Sequence, residues 1–245
     1  MYPQEPVIGI LGGMGPAATA DFYAKLVSHT RARRDQDHPR TVIWSDPTIP
    51  DRTQAILGLG EDPTPWMLRG VKHLEEAGAT LIAVPCNTAH AFVPALQAKT
   101  SAPILHMIEE TVELLSAQGI RSVGLLATTG TCQMGLYQAS AAKGGVEVLV
   151  PDQDGQEKVM DAILGIKGGN TTPDISAALV EATTLLQAKG AEAVIAGCTE
   201  IPLALSQDML QIPLIDPTGV LAVAALRQAG FPVADQGPER HVACP

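Results

Sequence analysis

Short apolar runs alternate with longer stretches of helical periodicity along most of this chain, the pattern of buried parallel strands joined by crossover helices. Strands are expected at 7–11, 41–46, 80–84 and 103–106, then at 123–126, 146–150, 193–196 and 213–216. Between them, helical patterns cover 17–33, 66–77, 94–98 and 108–118, a helix beginning after 131, then 156–167, 172–189 and 220–228. Pro16 stands at a helix start, while Gly78, Gly119 and Gly190 stand where helices stop. Two apolar runs end alike: one at Pro85-Cys86-Asn87-Thr88, the other at Gly197-Cys198-Thr199-Glu200. Each reads as a strand that carries a thiol to its C-terminal edge, where open α/β sheets bind ligands.

The second half repeats the first. Gly9 matches Gly124 and Gly15 matches Gly130 at a spacing of 115 residues; Gly78 matches Gly190 and Cys86 matches Cys198 at 112; Pro103 matches Pro213 at 110. An offset that shrinks slowly over a whole half is what small loop deletions leave behind in a duplication. The expected fold is therefore α/β, with two pseudo-symmetric lobes of parallel sheet and right-handed crossovers. Residues 1–102 with 212–230 are assigned to the first lobe, 103–211 to the second, and 231–245 to a C-terminal tail. Pseudo-twofold symmetry would put Cys86 and Cys198 on opposite walls of one interlobe cleft.

Composition narrows the partners. Apolar residues make up 46% and charged residues 17% of the 245, enough apolar content for a real core. Aromatics are only 3%, so aliphatic side chains and Ala must fill that core. A net charge of −10 argues against nucleic acid or an anionic membrane as partner, and no apolar run is long enough to span a bilayer. The first residues lead into a strand without a basic stretch, so no signal peptide and a cytoplasmic location are expected. No Cys-x-x-Cys pair occurs among Cys86, Cys132, Cys198 and Cys244, which fits free thiols. Cys132, near a helix start without a partner, and Cys244, in the tail, are taken as structural or incidental. The Cys86/His90 spacing is not completed by further ligands, so no metal site is expected.

Two thiols flanking one small molecule suit stereoinversion at a carbon acid. One thiolate takes the proton from one face and the other thiol returns a proton to the opposite face. The sulfurs would then lie roughly 6 to 8 Å apart, about two hydrogen-bond lengths. An ordinary thiol, with a pKa of about 8.5, can serve either way near neutral pH. Asn87, Thr88, Thr199 and Glu200 adjoin the thiols; they either bind an ammonium or carboxylate group or cap the following helices. Thr128 and Thr131, at a helix start, offer hydroxyls and N–H groups as a carboxylate cradle or simply shape a turn. His90, four residues after Cys86, either tunes the thiol or is a buried structural histidine.

These segments, together with Gly12-Gly13-Met14-Gly15-Pro16, resemble the aspartate/glutamate racemase superfamily, most closely its aspartate racemase branch. The resemblance runs over about residues 7–230. It implies a pyridoxal-phosphate-independent racemase that needs no cofactor, uses Cys86 and Cys198 as its two bases, takes an acidic amino acid and forms a homodimer. It also implies that Arg52 and Lys167 bind the substrate's carboxylates and that Met14 lines the substrate site. Two alternatives remain at this point: a diacid isomerase or decarboxylase on the same scaffold, and an inactive two-lobed amino-acid-binding module.

Overall fold

A computed structural model describes residues 6–234. In chain order the elements are β1 (Val7–Gly12), α1 (Pro16–His29), β2 (Arg40–Ser45), α2 (Arg52–Ile56), α3 (Thr64–Glu76), β3 (Leu81–Ala83), α4 (Val93–Gln97) and α5 (Met107–Ala117). The second half follows with β4 (Ser122–Ala127), α6 (Thr129–Gln133), α7 (Leu136–Gly144), β5 (Glu147–Leu149), α8 (Gln153–Lys167), α9 (Pro173–Ala188), β6 (Ala193–Gly197), β7 (Leu214–Ile215) and α10 (Pro217–Gln228). All strand pairs are parallel, in the orders β2-β1-β3 and β5-β4-β6-β7. Ile104 bridges Ile82 in parallel beside β3, so the first sheet has a short fourth member where β7 stands in the second. The fold is thus α/β with two like sheets.

The repeated glycines have a packing reason. A Cβ on Gly9 would lie 2.8 Å from the Cβ of Ala79 and 3.4 Å from Leu74 at the end of α3. On Gly124 it would lie 3.0 Å from Leu186 of α9. In each lobe the helix that leads into the cysteine strand therefore lies close against the central strand, and close packing of this kind tolerates no added methyl.

Each edge segment hands the chain across to the other lobe. Ile104 sits in the first sheet, but the α5 that follows buries Ile108, Val112 and Leu115 against Val123, Leu125 and Ile195 of the second. Conversely, β7 ladders onto β6, yet α10 buries Leu221, Ala222, Ala225 and Leu226 against Ile8, Ile10, Phe22 and Leu26 of the first. The lobes are locked together by this exchange of helices. It shifts the expected boundaries: 103–105 pairs in the first sheet rather than the second, and 213–215 in the second rather than the first, because backbone pairing outranks position in the repeat.

Two further expectations change. Helix α1 stops at His29 instead of 33, because Thr30 forms an antiparallel bridge to Val233. The Arg31 N–H donates to the Pro232 carbonyl at 2.9 Å and the Ala234 N–H to that of His29 at 2.8 Å. Residues 231–234, expected as the start of the C-terminal tail, are instead tied to the first lobe. Residues 235–245, including Cys244, lie outside the described residues. Among the described residues no helix is long and apolar enough to cross a membrane.

Candidate active site

Both thiol strands end at one cleft between the lobes. Beyond β3, the Cys86 N–H donates to the Val84 carbonyl at 2.8 Å, a tight turn that leaves Cys86 6% exposed. Beyond β6, Cys198 is 5% exposed and its carbonyl accepts from the Ile201 N–H at 3.0 Å. Cys86 and Cys198 line the same cleft, with Met14, Arg52, Asn87, Thr88, Thr128, Lys167, Thr199 and Glu200 around them. The cleft is nearly closed, with about 10 Å³ of free space, room for about one water molecule.

His90 has a structural place here. The Met107 N–H donates to its Nε2 at 3.0 Å, so Nδ1 carries the proton and donates to the Cys86 carbonyl at 2.9 Å. Burial, helped by nearby His106, lowers its pKa to about 4, so the ring is neutral at physiological pH. It fastens the Cys86 turn to the start of α5 through the backbone.

Glu200 joins the lobes. The Gly15 N–H of the first lobe donates to its Oε1 at 3.0 Å, and a Cβ on Gly15 would come within 2.9 Å of that oxygen. Its Oε2 accepts from the Cys198 thiol at 3.0 Å and the Thr199 hydroxyl at 3.3 Å. Both oxygens are thus engaged inside the protein, and the side chain is 2% exposed. Burial raises the Cys198 pKa well above the ordinary thiol value and the Glu200 charge raises it further, against a smaller opposing pull from Lys167. Cys198 therefore rests as a thiol donating to a carboxylate.

Three hydroxyls meet across the lobe boundary. Thr88 lies 2.9 Å from Thr128 and 3.0 Å from Thr131, which are 3.1 Å from each other. Thr131 does not itself line the cleft; it backs the two that do. Thr128 also caps α6 by accepting from the Thr131 N–H at 3.2 Å.

Arg52 opens α2, and Asp51 caps that helix by accepting from the Gln54 N–H at 2.8 Å. Its Nη1 donates to the carbonyls of Ile49 at 3.1 Å and Pro50 at 3.0 Å, which fixes the guanidinium on the cleft wall. Its Nε is buried without a partner, as is the Nδ2 of Asn87. Lys167 ends α8 as an exposed residue that also lines the cleft. Partial desolvation pulls its pKa down, but the fields of Cys198, Glu200 and Cys86 together outweigh that, and the net shift is upward.

Two lining residues went unread in the sequence, Asp51 and Thr53, both on or beside the five-residue α2. A helix of barely more than one turn leaves no periodicity; the cap pattern of Asp51 before Gln54 was the only signal. Cys132 lies outside the cleft, with its thiol pushed up to about 11 by burial. Among the described residues no three His, Cys, Asp or Glu side chains gather as a metal-binding group.

Two like sheets with thiols facing one cleft define an amino-acid racemase scaffold, and residues 11–225 match the Asp/Glu/Hydantoin racemase family, to which the chain belongs. The broad specificity amino-acid racemase RacX of Bacillus subtilis is 32% identical over 222 residues, which cover 88% of this chain and 95% of that protein. Aspartate racemase from Picrophilus torridus superposes with a TM-score of 0.85 at 34% identity, covering 94% of this chain and 96% of its own. An aspartate racemase homologue from Pyrococcus horikoshii OT3 gives 0.74 at 27% identity, covering 91% and 98%.

Proposed function

We propose that this racemase interconverts L- and D-aspartate, with Cys86 and Cys198 as its two acid–base groups. The observation that carries this is the composition of one cleft: two thiols, plus two buried donors, Arg52 Nε and Asn87 Nδ2, that have no partner in the protein. A buried donor left unpaired costs about 1–3 kcal/mol, so a site that keeps two of them is complementary to an acceptor such as a carboxylate. Lys167 adds a second cation at the wall, as a substrate with two carboxylates requires. Positive charge beside the α-carboxylate also stabilises the carbanion as the α-proton leaves.

In one direction Cys86, as thiolate, removes the α-proton and Cys198, already a thiol, delivers its own to the opposite face. In the other, the Cys198 proton first leaves through Glu200 to solvent while Cys86 takes one up from solvent, and the Cys198 thiolate then takes the α-proton while Cys86 supplies one. Each direction exchanges the protonation states of the two thiols, and proton exchange with solvent resets them, so the proton count of chain and substrate is unchanged over a full cycle. Glu200 thus acts as the proton partner of Cys198, a role beside the two that the sequence left open, binding a charged group of the substrate or capping the following helix.

The likeness to the broad-specificity Bacillus protein supports a second assignment, in which amino acids other than the acidic ones are also substrates. Chiral analysis of purified protein in D₂O, under reducing conditions and without added cofactor, separates the two. Either enantiomer of aspartate should move to a racemic mixture with deuterium at the α-carbon, while leucine and arginine should stay unchanged. Racemisation of all three would favour the broad enzyme; unchanged aspartate would overturn the proposal.

Arg52→Lys keeps the charge but cannot keep both the carbonyl contacts and a planar donor for the substrate. The KM for aspartate is expected to rise about tenfold, with thermal stability little changed; steady-state kinetics and a melting curve check it.

A further inference from the structure

Tyr137 lies in α7 of the second lobe and is fully buried, packed with Val112, Leu115 and Ala141. Its hydroxyl crosses to the first lobe and donates to Asn87 Oδ1 at 2.5 Å. Asn87 is 2% exposed and lines the cleft, and its Nδ2 is the half of the amide left without a partner. We propose that Tyr137 is a positioning residue: by holding Oδ1 it fixes the amide so that Nδ2 faces the cleft as a donor for the substrate's carboxylate. This rests on the assignment of the cleft as an amino-acid site.

The logic is that of a two-ended group. An amide turned over would present Oδ1, an acceptor, to a ligand that is itself an acceptor, and would take from the buried Tyr137 O–H the acceptor it now has. Burial drives the Tyr137 phenol far above the ordinary tyrosine range, more than its bond with Thr111 lowers it, so it stays an O–H donor throughout the pH range in which a thiol enzyme works. Because the donor comes from one lobe and the amide from the other, the bond also makes the binding group depend on correct lobe packing. Phenylalanine would fill the same volume and lose only the donor.

The test compares wild type, Tyr137→Phe, Asn87→Ala and the double variant. Tyr137→Phe should raise the KM for aspartate about tenfold with kcat within threefold, the pattern of lost binding that is equal in ground and transition states. In the Asn87→Ala background the same change should alter KM less than twofold. A wild-type KM in Tyr137→Phe, or a tenfold rise that persists without Asn87, overturns the proposal. A second measurement needs no turnover: in ¹⁵N-labelled protein the side-chain NH₂ pair of Asn87, identified by its loss in Asn87→Ala, should shift and exchange faster with solvent in Tyr137→Phe. An unmoved pair overturns the proposal as well. If the pair moves but wild type racemises no amino acid, the function assignment fails while the role of Tyr137 in setting the amide stands.

Discussion

Replacing either Cys86 or Cys198 by alanine is expected to lower aspartate racemisation at least about 10³-fold, because an enzyme with one acid–base group cannot serve both faces of the α-carbon. The surviving thiol can return a proton only to the face from which it took one. In D₂O each single variant should therefore exchange the α-hydrogen of one enantiomer with retention, and the two variants should favour opposite enantiomers. Loss of fold would give silence on both, so the exchange is a built-in control. Each sulfur is also packed in its lobe's core, Cys86 with Met14, Val84 and Ala89, and Cys198 with Leu126, Val194 and Ile201. Serine, nearly the same size, keeps that packing better than alanine, but its hydroxyl is far too weak an acid to replace a thiol. Cys86→Ser and Cys198→Ser should be as slow in racemisation as the alanine variants while melting closer to wild type. A single variant that inverts aspartate within tenfold of wild type would eliminate the two-thiol mechanism.

Much of this architecture is legible before any coordinates, and for a definite reason. Parallel strands buried on both faces leave continuous apolar runs, and a thiol at the end of such a run has a fixed place at the sheet edge. The duplication then doubles every signal, so Cys86 and Cys198 can be paired by spacing alone. What escapes is held by contacts distant in sequence. Tyr137 meets Asn87 across 50 residues and Gly15 meets Glu200 across 185, and no local pattern marks either bond. Glu200 was recognisable as a polar neighbour of the thiol, but its engagement is visible only once the lobes are packed. The lobe boundaries shifted for a similar reason: strands 103–105 and 213–215 look like the start of the next unit, yet each completes the sheet before it, and only the helix after it changes lobe. Short α2 hid Asp51 and Thr53 because one turn of helix has no period to detect.

Glu200→Gln is expected to reduce kcat/KM about 10²-fold, the lower end of what a positioned proton acceptor contributes. The amide can still accept from the Gly15 N–H, so the bolt between the lobes survives, but it cannot take the Cys198 proton. The loss must be equal for L- and D-aspartate. Their equilibrium constant is one, which forces kcat/KM to be the same in both directions, so any asymmetry can show only in kcat and KM separately. The pH profile reports the charge that Glu200 places beside the thiol. After burial, the Glu200 charge is the largest influence raising the Cys198 pKa, because a carboxylate at 3.0 Å opposes a second negative charge. Removing that charge makes the thiol easier to ionise, so the limb of the profile that reports Cys198 should move to lower pH even as the maximal rate falls. A purely structural Glu200 predicts a different combination: a lower melting temperature with a full rate per folded molecule. Kinetics of both enantiomers across pH, alongside melting curves, decide between the two, and a kcat/KM within threefold of wild type would remove Glu200 from the proton path.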